Sequence, residues 1–275
     1  MTFFADRFSA STTYFQRPVA ADPSVQSFHL DIRDAEAVSS VIDLAKPDVV
    51  IHAAGNKNVR FCEDHPDDAY LTNARGTQNV AQACRNFGAR MIYLSTDLVF
   101  SCTTGDYKED ELPQPTLVYG ASKLQGEKLA SEELTDVAIC RSGGIYGKES
   151  PLLDWFSTEV SAGRLVECPV DVFNTPTYAE NLAEMIEVII NRRLPGIFHT
   201  IGRERVSRFE FFRTYARQFG LDSNLVTPVS FADMQGSSML RPDSSLSSKK
   251  TADLLGIEFN SVAEGFSRLR AHGGA

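Results

Sequence analysis

The sequence predicts an α/β fold built on a doubly wound parallel sheet, and three observations predict it. Short runs rich in β-branched residues alternate with helix-length segments between residues 49 and 140. The residues that follow three of those runs are small or polar, as at the carboxyl ends of parallel strands. The composition is that of an ordinary globular chain, with 275 residues, 43% apolar and 23% charged. Those fractions lie outside the ranges of disordered, collagenous and coiled-coil sequences.

Val49-Val50-Ile51-His52 follows Lys46-Pro47-Asp48 and runs into Ala53-Ala54-Gly55, which reads as a buried strand entering a loop. Residues 73–87 read as a helix, with Val80, Ala83, Cys84 and Phe87 on one face and Gly88 as its stop. Residues 91–95 form the next strand. Residues 101–117, with Gly105, Pro113 and Pro115, form a long loop. Residues 119–134, rich in Lys, Glu, Leu and Ala, read as a helix, and residues 137–140 as a third strand that breaks at Gly143-Gly144. This alternation implies crossover connections and helices on both faces of the sheet. The loops 52–55, 95–97 and 142–144 then converge on one crevice beyond the strands.

Residues 178–191 read as an amphipathic helix with Leu182, Met185, Ile186, Ile189 and Ile190 on one side, and residues 196–201 as a strand. Ser207-Arg208-Phe209-Glu210 is a capping box opening a helix that carries Phe212, Tyr215, Ala216 and Phe219. A loop over 236–248 and a helix over 261–270 complete the chain. The change of pattern near residue 150 divides it into a dinucleotide-binding domain, 1–150, to which 176–202 returns, and a smaller substrate lobe, 151–275.

Charge and cysteine usage narrow the partners. The chain has 27 Lys and Arg against 36 Asp and Glu, for a net charge of −9. That sign opposes a nucleic-acid backbone but leaves room for a phosphorylated small molecule. The five cysteines, 62, 84, 102, 140 and 168, have no zinc or CxxC spacing. Their odd number, an N-terminus interrupted by Asp6 and Arg7, and the lack of an 18-residue apolar stretch predict a cytoplasmic protein with free thiols, no metal and no membrane span. Cys62, Cys84 and Cys140 read as core residues, His52 and His199 as strand packing, and Trp155 as packing within the second lobe.

The candidate chemistry lies in Tyr119-Gly120-Ala121-Ser122-Lys123. Tyr and Lys at i and i+4 share a helix face. An ammonium beside a phenol stabilises the phenolate and brings its pKa down from about 10, making it a usable acid or base. The pair is also common on solvated helices. What sets this one apart is Thr96 at the end of the preceding strand, whose hydroxyl suits the same substrate oxygen.

With Leu94-Ser95-Thr96-Asp97-Leu98-Val99-Phe100, Tyr107-Lys108-Glu109-Asp110 and Tyr119 through Glu127, the sequence resembles the extended short-chain dehydrogenase/reductase superfamily. Within it, the dTDP-4-dehydrorhamnose reductase branch is most similar. Leu30-Asp31-Ile32-Arg33-Asp34, Asn73 with Gly76-Thr77, Pro176-Thr177-Tyr178-Ala179 and Arg241-Pro242 with Ser245-Leu246 belong to the same likeness. The resemblance implies a Rossmann-like fold and an NADPH- or NADH-dependent reductase of a nucleotide-linked 4-keto-6-deoxy sugar. It makes Tyr119 the general acid, Lys123 its partner and a ribose ligand, and Thr96 the orienting hydroxyl. Thr96, Asp97 and Gly144 then line the substrate. Asp31 and Ile32 hold the adenine edge, Ala53, Ala54 and Gly55 let the cofactor approach the backbone, and Arg17 faces a 2′-phosphate. The acidic run Glu109-Asp110-Glu111, ordinarily a solvated loop, becomes a lid. The implied partners are the nucleotide sugar and a second copy in a homodimer.

The sequence departs from that pattern twice. The family opens with a strand and a glycine-rich turn for the pyrophosphate, whereas the first of the 18 glycines here is Gly55. Thr12 to Arg17 read as the family's second strand, so the fold is expected to be N-terminally incomplete by about 25–30 residues. Either the reading frame is truncated or the chain has lost dinucleotide binding. In addition, Gly144 stands where rhamnose-forming reductases carry an aromatic ring. Two other readings follow: an epimerase or dehydratase of the same superfamily, and a non-catalytic subunit like the regulatory subunit of methionine adenosyltransferase.

Overall fold

The computed structural model describes residues 2–18, 25–234 and 240–273. The protein is an α/β chain in two compact units. The first comprises Met1–Ser95, Leu117–Cys140 and Ile186–Ile197; the second comprises Thr96–Thr116, Arg141–Met185 and Phe198–Ala275.

Up to residue 142 the elements are α1 (Thr2–Ala5), β1 (Ser11–Tyr14), β2 (Gln26–His29), α2 (Ala35–Ala45), β3 (Val49–His52), α3 (Val59–Asp64), α4 (Pro66–Tyr70), a π-helical turn (Leu71–Arg75), α5 (Gly76–Phe87), β4 (Arg90–Thr96), α6 (Val118–Glu133) and β5 (Val137–Ser142). Then follow β6 (Ile145–Tyr146), α7 (Pro151–Ser161), β7 (Val166–Pro169), β8 (Phe173–Asn174), β9 (Thr177–Tyr178), α8 (Ala179–Asn191) and β10 (Gly196–His199). The chain ends with β11 (Val206–Ser207), α9 (Arg208–Gln218), β12 (Val226–Val229), α10 (Lys249–Leu255) and α11 (Val262–Ala271).

The central sheet has the order β10-β5-β4-β3, and β3 pairs parallel to β4 with Val49 opposite Arg90. β1 and β2 form a separate parallel pair, Ser11 opposite Gln26. Helix α2 starts where Asp34 accepts hydrogen bonds from Glu36 N and Ala37 N, both at 3.0 Å, an N-cap that satisfies two of the first turn's free donors. Helix α5 stops at Gly88, whose φ of 73° suits glycine. Val38, Ile42, Val80, Cys84, Met91 and Ile139 belong to the first unit's core. Arg90 ties the end of α8 into that unit. Its guanidinium donates to the carbonyls of Ile189 (2.8 Å) and Leu194 and to Asp136 (2.9 Å), giving partners to carbonyls that a helix end leaves free.

The second unit has its own core, dominated by aromatic rings. Phe156 stacks on Phe212 at 4.5 Å, and Tyr146 and Phe211 meet Phe266 at 5.0 and 5.1 Å. The predicted capping box is present at Ser207 and Glu210, and a second stands at Ser261 and Glu264. All five cysteines are buried free thiols. Trp155 remains 48% exposed and meets Phe212 edge-on at 6.4 Å.

Three elements differ from the sequence reading. The helix expected to start at 73 starts as a π-helical turn, and the strand expected over 196–201 stops at His199. The predicted loop 101–117 is tied down rather than loose. Tyr107 stacks on Phe100 at 4.6 Å, its hydroxyl accepts from Thr103 N, and its backbone bridges to Leu246. The acidic run within it splits: Glu109 is buried and accepts from Thr251 Oγ1 at 2.6 Å, while Asp110 and Glu111 are exposed. Part of the predicted loop 236–248 lies outside the described residues. Among those that are described, no helix is long and apolar enough to cross a membrane.

Candidate active site

Helix α6 carries both members of the Tyr–Lys pair. Lys123 is 5% exposed. Its Nζ donates to the carbonyl of Leu94 at 2.7 Å and lies 4.2 Å from the centre of the Tyr93 ring. Burial brings its amine down to about 7, and the charge of Glu127 opposes that fall. The lysine is therefore poised between ammonium and amine near neutrality, which the sequence alone did not show. Tyr119, one turn earlier, is half-buried.

A buried hydrogen-bond network joins this helix to the loop after β3. Asn73, in the π-helical turn, is 1% exposed. Its Oδ1 accepts from Asn56 N at 2.7 Å, and its Nδ2 donates to Asn56 O at 3.1 Å and to Ser122 Oγ at 3.0 Å. Ser122 in turn donates to the carbonyl of Tyr119 at 2.8 Å. A Cβ at Gly55 would fall 2.9 Å from Asn73 Oδ1, so the loop passes the asparagine only because residue 55 has no side chain. π-Helical turns recur at functional sites because the extra residue re-aims the side chains around it. Ala53, Ala54 and Gly55 are exposed at the end of β3, open to a ligand that approaches the backbone.

His52 is buried behind this network. Thr77 Oγ1 spends its proton on Asn73 O at 2.7 Å, so it accepts from His52 Nε2 at 3.0 Å, which fixes the tautomer. Burial and the charge of Lys123 push the imidazole down to about 3, and it stacks on Tyr93 at 5.4 Å. Its place is packing, as the sequence indicated.

At the end of β2, Arg33 grips Asp31 with two nitrogens at 2.6–3.0 Å. The guanidinium's hydrogen bonds hold the Asp31 carboxyl below its usual range. Ile32 is 8% exposed, meets Gly76, and its carbonyl accepts from Asn79 Nδ2 at 3.0 Å. Arg17 is exposed on the bend after β1. Arg33, not singled out from the sequence, lies 5.5 Å from the Phe15 ring.

In the second unit Thr96, Asp97 and Gly143 come together. Thr96 Oγ1 donates to Asp97 Oδ1 at 2.9 Å and accepts from Leu98 N at 3.2 Å. Burial raises the pKa of the Asp97 carboxyl, against hydrogen bonds from Ser244 and Thr96. A Cβ at Gly143 would come within 2.7 Å of Asp97 Oδ2. Gly144 is exposed, with φ of 50°, and a Cβ there would meet Asn174 Nδ2 at 2.7 Å. A ring at this position would be strained by both backbone and neighbour. Among the described residues no three His, Cys, Asp or Glu side chains gather as a metal cage.

The chemistry of these groups fits a nicotinamide dinucleotide at its two ends. Asp31 offers acceptors at the end of β2, and the exposed backbone at 53–55 and Lys123 offer contacts at the ends of β3 and β4. The described residues before Gly55 supply no glycine turn for the pyrophosphate between them.

Residues 12–272 match the family described as RmlD substrate binding domain. The chain is 30% identical over 211 residues to methionine adenosyltransferase 2 subunit beta of Xenopus tropicalis, covering 73% of this chain and 63% of that protein. It thus spans less than two thirds of the length of that relative. It is 30% identical over 212 residues to the probable low-salt glycan biosynthesis reductase Agl14 of Haloferax volcanii, covering 74% and 71%. Among solved structures, dTDP-4-dehydrorhamnose reductase from Bacillus anthracis in complex with NADP superposes with a TM-score of 0.86 at 27% identity. That match covers 96% of this chain and 98% of the other.

Proposed function

The chain belongs to the RmlD substrate-binding-domain family, and from that premise we propose that it is an NAD(P)H-dependent reductase of a nucleotide-linked 4-keto-6-deoxy sugar. The observation that carries the reading is Lys123, buried on α6 one turn from Tyr119 and hydrogen-bonded to β4 through Leu94.

The chemistry a bound nicotinamide supplies is hydride delivery to the C4 carbonyl carbon. Tyr119 gives its phenolic proton to the carbonyl oxygen and becomes a phenolate. Lys123, as ammonium, stabilises that phenolate and holds the nicotinamide ribose. Thr96 orients the carbonyl oxygen, and Asp97 and Gly144 line the sugar. Asp31 and Ile32 hold the adenine edge, Ala53, Ala54 and Gly55 lie along the cofactor, and Arg17 meets a 2′-phosphate and favours NADPH. Residues 1–150 with 176–202 serve the cofactor and 151–275 mainly the substrate.

The test is coenzyme oxidation with a dTDP-linked 4-keto-6-deoxy sugar. The reading expects one NADPH or NADH consumed for each sugar reduced. Binding of the nucleotide sugar with no oxidation of either coenzyme would overturn it. The likeness to subunit beta of methionine adenosyltransferase favours a second reading, a binding subunit without turnover; that result would support it. An epimerase or dehydratase would instead retain its coenzyme through the cycle, with no net consumption.

A further inference from the structure

A buried carboxylate lies one helical turn beyond Lys123. Glu127 is 3% exposed, and its i+4 spacing puts it on the face of α6 that Lys123 occupies. Ser95 Oγ donates to Glu127 Oε1 at 2.5 Å, the short distance of a hydrogen bond to an ionised carboxylate. Lys123 Nζ reaches the carbonyl of Leu94, the residue before Ser95. Helix α6 is therefore tied to two consecutive residues of β4, once through a cation and once through an anion. Buried charges are a weak way to gain stability, since apolar side chains of the same volume often do as well or better. Their presence at this seam calls for another reason.

Resting on the reductase reading, in which Lys123 acts as an ammonium, we propose that Glu127 is a positioning residue whose carboxylate, fixed by Ser95, keeps Lys123 charged at the seam of β4 and α6. Among the described residues, Tyr93 and His52 near Lys123 do not supply that charge. From β4 the Tyr93 ring lies beneath the ammonium and keeps its proton, because burial raises its pKa. From β3 comes His52, which is neutral because burial lowers its pKa. Asn73 and Thr77, from the π-helical turn and α5, reach Ser122 and His52 and are uncharged. Burial drives Lys123 toward the amine, and Glu127 is the influence that opposes it. Without the carboxylate the ammonium survives only at lower pH.

The test follows the Lys123 Nζ directly by NMR in the full chain labelled with ¹⁵N-lysine, its resonance assigned by its loss in Lys123→Arg. In Glu127→Gln the titration midpoint should fall by about one pH unit or more, lowering the ammonium fraction at pH 8 by about tenfold. Ser95→Ala should lower it less, and Glu127→Asp should restore most of it. A midpoint unchanged in folded Glu127→Gln overturns the proposal. Should that variant fail to fold, an unchanged midpoint in Ser95→Ala does the same. The titration needs no substrate, so it stands apart from the reductase reading. A shifted midpoint with an unmoved alkaline limb of kcat/KM would count against that reading and leave Glu127 in its role.

Discussion

Two parts of the first unit, the seam of β4 and α6 and the β1–β2 ribbon, hold the residues assigned to opposite ends of a dinucleotide, and they are built in opposite ways. At the seam Asn73, Ser122, Lys123 and Glu127 are each at most 5% exposed; Asn73 is hydrogen-bonded to Ser122, Lys123 to Leu94 and Glu127 to Ser95. In the ribbon, none of the eight strand residues is buried, the strands stand outside the central sheet, and the Asp31–Arg33 pair beyond them is 29% and 38% exposed. Polar groups in water exchange partners at little cost, whereas buried ones keep the partners they fold with. On the proposed reading, the proton chemistry is thus inseparable from the fold, while the adenine end is a surface that substitutions should alter without unfolding the protein.

The strongest way to break this contrast is at the seam. Lys123→Met should lower turnover by about 10²–10⁴-fold and, by leaving the Glu127 carboxylate buried without its cation, should cost about 3–5 kcal/mol of stability; steady-state assays beside urea denaturation check both. Asn73→Ala leaves Asn56 N and Ser122 Oγ short of a partner and should cost about 1–3 kcal/mol, read by urea denaturation. Acid should also act through the buried side. His52 titrates near 3 when folded but at its ordinary 6.5 when unfolded, so below 6.5 the unfolded chain binds the extra proton. Stability should then fall as pH drops from 6.5 toward 3, by about 1.4 kcal/mol per unit from this group, and His52→Gln should flatten that slope. The smallest effects belong to the ribbon. Arg17→Ala and Arg33→Ala should change stability by less than about 0.5 kcal/mol. Arg17→Ala should weaken NADPH binding severalfold and leave NADH binding unchanged, by fluorescence titration. A ribbon variant that unfolds the chain, or a seam variant with no effect on rate, would erase the distinction.

Sequence reasoning reached what is local. The Ser207–Glu210 box, the Gly88 stop and the strand at 49–52 each depend on neighbours within a few residues. Tyr119 and Lys123 could be paired because a helix fixes their spacing. The hidden features are those made by distant partners. Asn73 acts through residues 17 and 49 positions away, and Glu109 is buried through Thr251, 142 positions away. The drop in the Lys123 pKa arises from burial, which no spacing reveals. The grip of Arg33 on Asp31 was hidden because an exposed arginine after a strand carries no pattern of its own.

Tyr119→Phe tests the central claim most directly, because it removes one oxygen and leaves the ring's packing in place. Turnover of the 4-keto nucleotide sugar and its binding should be measured on the same preparation. The account predicts a loss of turnover of at least about a hundredfold, with affinity for the nucleotide sugar within about threefold of the parent. Turnover equal to the parent's would contradict it.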